Sequence, residues 1–251
     1  MKKRLFALFA AAYLLGLLIF LPAALVNTLL RQQSDGQLSL HESSGTLWAG
    51  QGRLSFQVQG AARPLGMVSW KISPVHLLLA TLQISISQEL DGAQGQALLM
   101  ASPQTIELHQ IDVVLPAAVL STLSPSLMAL DPGGNLRIRS ENFKQNKAQG
   151  ISRFDGAIVI DWERATLLQG REAGTYQISI RGNGSSLDGE LATRDGALIL
   201  DGQGNWRTGL PFKMNGHVRL SPDADTSRVM PLFRSLCPNG GSECAISVGY
   251  L

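Results

Sequence analysis

The sequence predicts a mainly β protein: an N-terminal single transmembrane helix followed by a large antiparallel, curled β-sheet domain with a few short helices. Three observations predict it. Leu5–Leu30 is an uncharged run of 26 residues. Short runs of strictly alternating apolar and polar residues recur through the rest of the chain. Glycine-containing breaks separate those runs at roughly the 8–12-residue spacing of meandering strands.

At about 1.5 Å per helical residue, Leu5–Val26 alone reaches roughly 33 Å, enough for a hydrocarbon core of about 30 Å. Lys2, Lys3 and Arg4 directly precede it, and the positive-inside bias keeps such a cluster in the cytoplasm. The expected layout is therefore a cytoplasmic tip (1–4), a membrane span (5–30) and an exported domain (31–251), which in a bacterium means inner membrane and periplasm. A cleaved signal peptide is the competing reading. Against it, the apolar run exceeds the usual segment of about 7–15 residues, and Leu21 and Pro22 spoil the small-x-small register before Ala23 and Ala24. Pro22 is expected to kink the helix near its outer end, with Asn27, Thr28 and Arg31 marking the exit.

Beyond residue 36 the alternation begins. Leu54/Phe56/Val58, Val68/Trp70/Ile72 and Leu82/Ile84/Ile86 alternate with polar residues, the signature of a half-buried antiparallel sheet. The pattern resumes at Ile106/Leu108, Leu136/Ile138, Ile158/Ile160/Trp162, Tyr176/Ile178/Ile180, Leu198/Leu200, Val218/Leu220 and Ile246/Val248/Tyr250. Breaks are read at Asp91-Gly92, Gly133-Gly134, Gly182-Asn183-Gly184, Asp188-Gly189, Asp195-Gly196 and Gly202-Gln203-Gly204.

Three segments depart from period two and are expected to be helical caps over the sheet. Pro74–Ala80 places proline in a first helical turn. Leu115–Leu130 reads as a helix or helical pair broken near Pro125. Pro222–Leu236 spaces Val229, Leu232, Phe233 and Leu236 helically, with Pro231 making two short turns as acceptable as one helix. The connection at 115–133 is the expected boundary between two halves, 31–130 and 131–251. A faint echo links them: a strand ends in Trp70 before an apolar segment, and another ends in Trp162 before Ala165-Thr166-Leu167-Leu168.

The formal charge of +2 belongs to the basic tip, since residues 31–251 hold 18 Lys/Arg against 19 Asp/Glu. Interspersed charge of that kind gives no nucleic-acid surface. The only cysteines, Cys237 and Cys244, flank Pro-Asn-Gly-Gly-Ser-Glu, a turn that can bring them together. In an oxidising periplasm a local disulfide is expected, with two free thiols as the alternative. His41, His76, His109 and His217 are scattered, so no metal and no cofactor is expected.

No catalytic constellation is present: no Gly-x-Ser-x-Gly, Ser-x-x-Lys or His-Glu-x-x-His, and no phosphate loop. Gly182-Asn183-Gly184 leads toward a strand and reads as a hairpin turn. Asp91, Asp131, Asp188, Asp195 and Asp201 read as turn residues capping local backbone. A glycan-processing enzyme would need two carboxylates about 5–10 Å apart in a cleft. The expectation is a protein that is not an enzyme. Trp48, Trp70, Trp162 and Trp206 are expected to pack in the core, with Trp48, flanked by Gly45 and Gly50, the candidate for a partner or interface contact.

Gly45-Thr46-Leu47-Trp48-Ala49-Gly50, then Gly52-Arg53-Leu54, then Leu65-Gly66-x-x-x-Trp70-x-x-x-Pro74-x-x-Leu77-Leu78, resemble the N protein of the bacterial type II secretion system. Gly196-Ala197-Leu198-x-Leu200-x-Gly202-x-Gly204-x-Trp206, with Pro211-Phe212 and Gly216, resembles that family's C-terminal portion. Cys237 and Cys244 lie outside the pattern. The resemblance implies an inner-membrane accessory that binds the inner-membrane platform and other secretion subunits to support export of folded exoproteins across the outer membrane. It brings no catalytic residues. The alternative is a membrane-tethered lipid-binding or lipid-transfer protein, since such a sheet with an apolar inner face also resembles the AsmA-like proteins.

Overall fold

The computed structural model describes residues 6, 9, 13, 16–58, 60–122, 125–148, 151–168, 170–207, 213–222, 226–237 and 242–249. The chain divides into two compact units, Met1–Gln94 and Gly95–Leu251. Both are mainly β, and thirteen antiparallel strands follow one another in chain order.

The first unit holds helix α1 (Ala24–Gln33) and strands β1 (Leu38–Gly45), β2 (Ala49–Val58), β3 (Ala61–Ile72) and β4 (Leu82–Leu90), with a short helix α2 (Pro74–Leu77) between β3 and β4. The predicted span 5–30 is not one continuous helix. Phe6, Phe9, Tyr13 and residues 16–19 are helical, but the helix stops before Pro22, which forms an isolated bridge to Thr46. The rest of 5–15 lies outside the described residues. After Pro22 the chain re-enters a helix, α1, which packs on the sheet: Ala23, Leu40 and Trp70 are buried together, with Val26, Leu30, Leu54 and Ile72 against them. The physical reason is proline's missing N–H, which leaves the helix without a donor there. Burial of Ala23, Val26 and Leu30 then draws the following turns onto the sheet. Among the described residues no helix is long and apolar enough to cross a membrane.

The second unit holds β5 (Ala93–Ala101), β6 (Thr105–Pro116), a 3-10 helix (Ala117–Thr122), α3 (Pro125–Ala129), β7 (Gly133–Ala148), β8 (Ile151–Leu167), β9 (Arg171–Asn183), β10 (Ser186–Asp195), β11 (Leu198–Arg207), β12 (Lys213–Leu220), α4 (Thr226–Leu236) and β13 (Glu243–Gly249). The division into units precedes the 115–133 connection. That connection does not interrupt pairing, because β6 and β7 stay in register on either side of it, from Thr105 opposite Asn146 to Pro116 opposite Asn135.

Alternation gives the second unit two unlike faces. On one, Leu115, Leu136, Trp162 and Tyr176 run across β6–β9. They join Leu198 and Val218 in a core closed by Val229, Leu232 and Phe233 of α4. Each such fully buried side chain contributes about 1.5–3 kcal/mol, and this packing holds α4 as one helix despite Pro231. Tyr176 is fully enclosed, its hydroxyl donating to the Leu198 carbonyl at 3.0 Å, and burial pushes its phenol pKa up. Cys237 and Cys244 are bonded, with Cα atoms 5.8 Å apart, tying the end of α4 to β13; residues 238–241 lie outside the described residues. Farther along the same face Phe154 contacts Phe143 and Trp206, with ring centroids 6.4 and 5.5 Å away.

The other face is ionic. Arg137 donates to both carboxylate oxygens of Asp112 at 2.8 and 2.7 Å. Arg139 pairs with Asp161, which also accepts from Gln177 at 2.7 Å, and Arg194 donates to Gln177. Lys144 meets Glu107 at 2.7 Å, with His109 on the same carboxylate at 3.1 Å.

Several sequence expectations are corrected here. Leu115 and Pro116 close β6, and Pro125 opens a helix. Pro74–Ala80 does not cap the sheet, since Val75, Leu77, Leu78 and Leu79 are exposed. Gly133 begins β7, while Asp188-Gly189 and Gly202–Gly204 sit inside β10 and β11, paired on both sides. Glycine and aspartate mark turns only where the backbone needs them. Here the flanking hairpins impose an extended backbone, and Asp188 accepts from the side chains of Asn183 and Asn205. Likewise Asp201 lies within β11, opposite His217.

The ion pairs set a pH dependence. Hydrogen bonds from Lys144 and His109 hold the Glu107 carboxyl below its usual pKa, and those from Arg137 do the same for Asp112. A carboxylate with a depressed folded pKa stabilises above its unfolded pKa, and that stability is lost as pH falls through the folded value. Melting temperature by circular dichroism should be level from about pH 7 to 5 and fall below about pH 4. Because the Asp112–Arg137 pair is solvent-screened, Asp112→Asn should lower the melting temperature only slightly at neutral pH and lose a small part of the acid-dependent fall.

Candidate functional site

The turn joining β1 and β2 is Gly45-Thr46-Leu47-Trp48-Ala49-Gly50. It is closed by the Thr46 N–H on the Ala49 carbonyl at 2.8 Å, and the Ala49 N–H donates to Thr46 Oγ1 at 3.2 Å. Gly45 has φ +96, and a Cβ there would stand 2.5 Å from the Ala49 carbonyl oxygen. At Gly50 a Cβ would meet the Trp70 ring at 2.5 Å. The two glycines therefore allow a tight turn with the Trp70 indole packed against it.

This turn grips the end of the N-terminal apolar segment. In an uninterrupted helix the N–H of residue 22 would donate to the Leu18 carbonyl. Pro22 has no N–H, and the indole Nε1–H of Trp48 donates to Leu18 instead, at 2.8 Å. Past the break, the Leu21 carbonyl takes the Leu47 N–H at 2.8 Å, and the Ala23 N–H goes to the Gly45 carbonyl at 3.2 Å. Below that level the Phe20 N–H still bonds the Gly16 carbonyl at 3.1 Å, as an ordinary helix requires.

The turn is braced from behind. Trp70 Nε1 donates to the Leu47 carbonyl at 3.1 Å and the Ile72 N–H to the Trp48 carbonyl at 2.6 Å. Asn27 on α1 accepts the Leu40 N–H at 3.0 Å. Ser34 closes α1 by donating to the Leu30 carbonyl at 2.6 Å and accepting the Leu38 N–H at 2.9 Å. Pro22, Asn27, Trp48 and Trp70 thus form one device.

The sequence singled out Trp48, and the structure places it half-buried on the N-terminal segment, its N–H committed within the chain. Trp70 and Trp162 are buried, and Trp206 is half-buried in its aromatic cluster. The echo between Trp70 and Trp162 has a physical counterpart, since Trp162 Nε1 donates to the Gly133 carbonyl at 2.8 Å as Trp70 does to Leu47. Sequence reasoning did not pair Trp48 with Pro22. The signal was there in a proline inside an apolar helix, which frees an acceptor that an indole can satisfy.

The histidines do not converge. His41 contacts Ser39, His76 contacts Ser73, His109 contacts Glu107, and His217 stands 3.9 Å from Asp201. Among the described residues no group of three or more His, Cys, Asp or Glu side chains could hold a metal ion. Among the described residues the second unit presents two further surfaces. On the ionic face of β9–β12 a trough of about 690 Å3 is lined by Arg181, Asp188, Glu190, Arg207 and Lys213. On the apolar face Ile138, Ile160, Ile178 and Leu191 lie in one row across β7–β10, with Ile158 and Ile180 beside them, all half-buried.

The sequence model of the family described as type II secretion system (T2SS), protein N matches residues 5–232. No curated protein and no solved structure matches the chain. The match takes in the Pro22–Trp48 device, the β3–β4 connection and most of the second unit. On that match the chain belongs to the type II secretion system protein N family, whose place is in protein transport alongside the other subunits of that system.

Proposed function

We propose that this chain is an accessory component of type II secretion held in the bacterial inner membrane, single-pass with its N-terminus cytoplasmic and its strands in the periplasm. There it binds the inner-membrane platform and other secretion subunits and supports export of folded exoproteins. It works by contact and catalyses no reaction. The observation that carries the reading is the Trp48–Leu18 hydrogen bond. It fixes the first unit to the end of an apolar segment that begins beside Lys2, Lys3 and Arg4. A helix over a stretch as long as Leu5–Leu21 would cover about 25 Å, at the short end of what spans a bilayer. A domain fixed at the surface meets its partners at a high effective concentration. Strand edges offer main-chain recognition, and β13 pairs only with β12 among the described residues.

A second reading is favoured by one observation, the half-buried isoleucine row, whose uncharged surface suits acyl chains. One experiment tests both. Photo-crosslinkers placed at Ser247 on β13 and at Ile178 in the row should, in secreting cells, give protein adducts containing secretion subunits, and deletion of the chain should leave exoproteins in the periplasm. Phospholipid adducts at Ile178 with normal secretion would replace the first reading with the second.

Trp48→Phe keeps the ring and removes the donor, leaving the Leu18 carbonyl unpaired. The loss should be about 1–2 kcal/mol, measured by denaturant unfolding of the first unit's strands.

A further inference from the structure

The β3–β4 connection carries four apolar side chains that the fold does not use. Val75, Leu77, Leu78 and Leu79 are 65%, 41%, 86% and 73% exposed. From Ile72 to Gln88 there is no Asp, Glu, Lys or Arg. Isolated exposed leucines need no explanation, but four within five residues, in an uncharged stretch, form a patch.

The C-terminal half of this connection is hydrogen-bonded to its own first turn. Leu78 N–H donates to the Val75 carbonyl at 3.2 Å, Leu79 to His76 at 3.0 Å, Ala80 to Leu77 at 3.0 Å and Thr81 to His76 at 2.9 Å. The one polar side chain among them, His76, turns back to Ser73 at 2.8 Å. Pairing these four N–H groups within the connection removes them from the several kcal/mol that each unpaired group would cost on leaving water.

Its place in the meander supplies the occupant. The β1–β2 and β3–β4 connections emerge at the same end of the first unit. That is also where the apolar segment arrives, since Trp48 bonds Leu18 through its indole and Ile72 through its carbonyl, and Ile72 leads directly into Ser73-Pro74. The exposed side chains of Leu17, Leu18, Ile19 and Phe20 lie at that end too.

We infer that Val75, Leu77, Leu78 and Leu79 form a second membrane contact, inserted into the outer leaflet of the bilayer that receives the N-terminal segment. The inference rests on the membrane-anchored reading above and deepens it. With one tether the unit could swivel, whereas with two it presents its strands to partners at a fixed height and tilt. The loop acts as a short monotopic wedge, and half-buried Trp48 sits at the interface between the two contacts.

The test uses the full chain in phosphatidylethanolamine/phosphatidylglycerol vesicles. Because Cys237 and Cys244 are bonded to each other, a single introduced cysteine takes an environment-sensitive fluorophore. Leu78→Cys is compared with Phe9→Cys in the apolar segment and Arg63→Cys on exposed β3 at the opposite end of the unit. The expected result is blue-shifted emission at residue 78, quenched by nitroxide lipids labelled near the headgroup, while residue 63 is unaffected. Quenching at residue 9 with residue 78 like residue 63 overturns the wedge and leaves the anchor standing. No quenching at either overturns both. A concentration-dependent blue shift at residue 78 without nitroxide quenching assigns the patch to a second copy of the chain and also overturns the inference.

Discussion

The structure of the first unit depends on a substitution of donors. Pro22 removes the N–H that would have bonded the Leu18 carbonyl, and the Trp48 indole, brought in by the tight turn between β1 and β2, supplies another. A hydrogen bond of this kind contributes about 0.5–1.5 kcal/mol, and the helix ends where a replacement donor waits. Everything local follows from that. Gly45 and Gly50 let the turn close over Trp70, the Leu47 N–H bonds the Leu21 carbonyl, and α1 lies down on the sheet through Ala23, Val26 and Leu30. A proline that would otherwise weaken an apolar helix becomes the point at which helix and sheet are joined.

The second unit is built on a different principle, the separation of two faces by strand alternation. Enclosed rings and aliphatic side chains around Tyr176 give one face its order, and α4, pinned by the disulfide, covers part of it. The opposite face is laced by Asp112–Arg137 and Arg139–Asp161–Gln177–Arg194, exposed pairs individually worth little whose chief effect is to fix strand partners and keep that face in water. The two faces and the edge strand β13 present an ionic trough, an isoleucine row and, among the described residues, a strand paired on one side, in keeping with a family that works among the subunits of a secretion machine.

Much of this was legible from period two. Where apolar residues alternate cleanly, as at Val68/Trp70/Ile72 or Tyr176/Ile178/Ile180, strands stand where the pattern puts them. β1, β5 and β10 escaped for separate reasons. His41–Gly45 is too polar to show alternation, Ala97–Ala101 is apolar without interruption, and Asp188-Gly189 imitates a turn that neighbouring hairpins override. The motif around Trp48 was visible as a motif, but its use was not. A hydrogen bond across thirty residues leaves no periodic trace, and an unbroken hydropathy run hides the break at Pro22 because leucine and alanine serve equally on either side of it.

A double-mutant cycle between Trp48 and Pro22 tests the central claim most directly. Pro22→Ala restores an N–H that can bond the Leu18 carbonyl, so the destabilisation caused by Trp48→Phe should shrink to a fraction of its value in the Pro22→Ala background, giving a coupling of about 1 kcal/mol between residues that share an acceptor. If the two substitutions instead add, with Trp48→Phe costing the same in both backgrounds, the indole does not replace proline's missing donor and the account of how the segment is joined to the sheet is wrong.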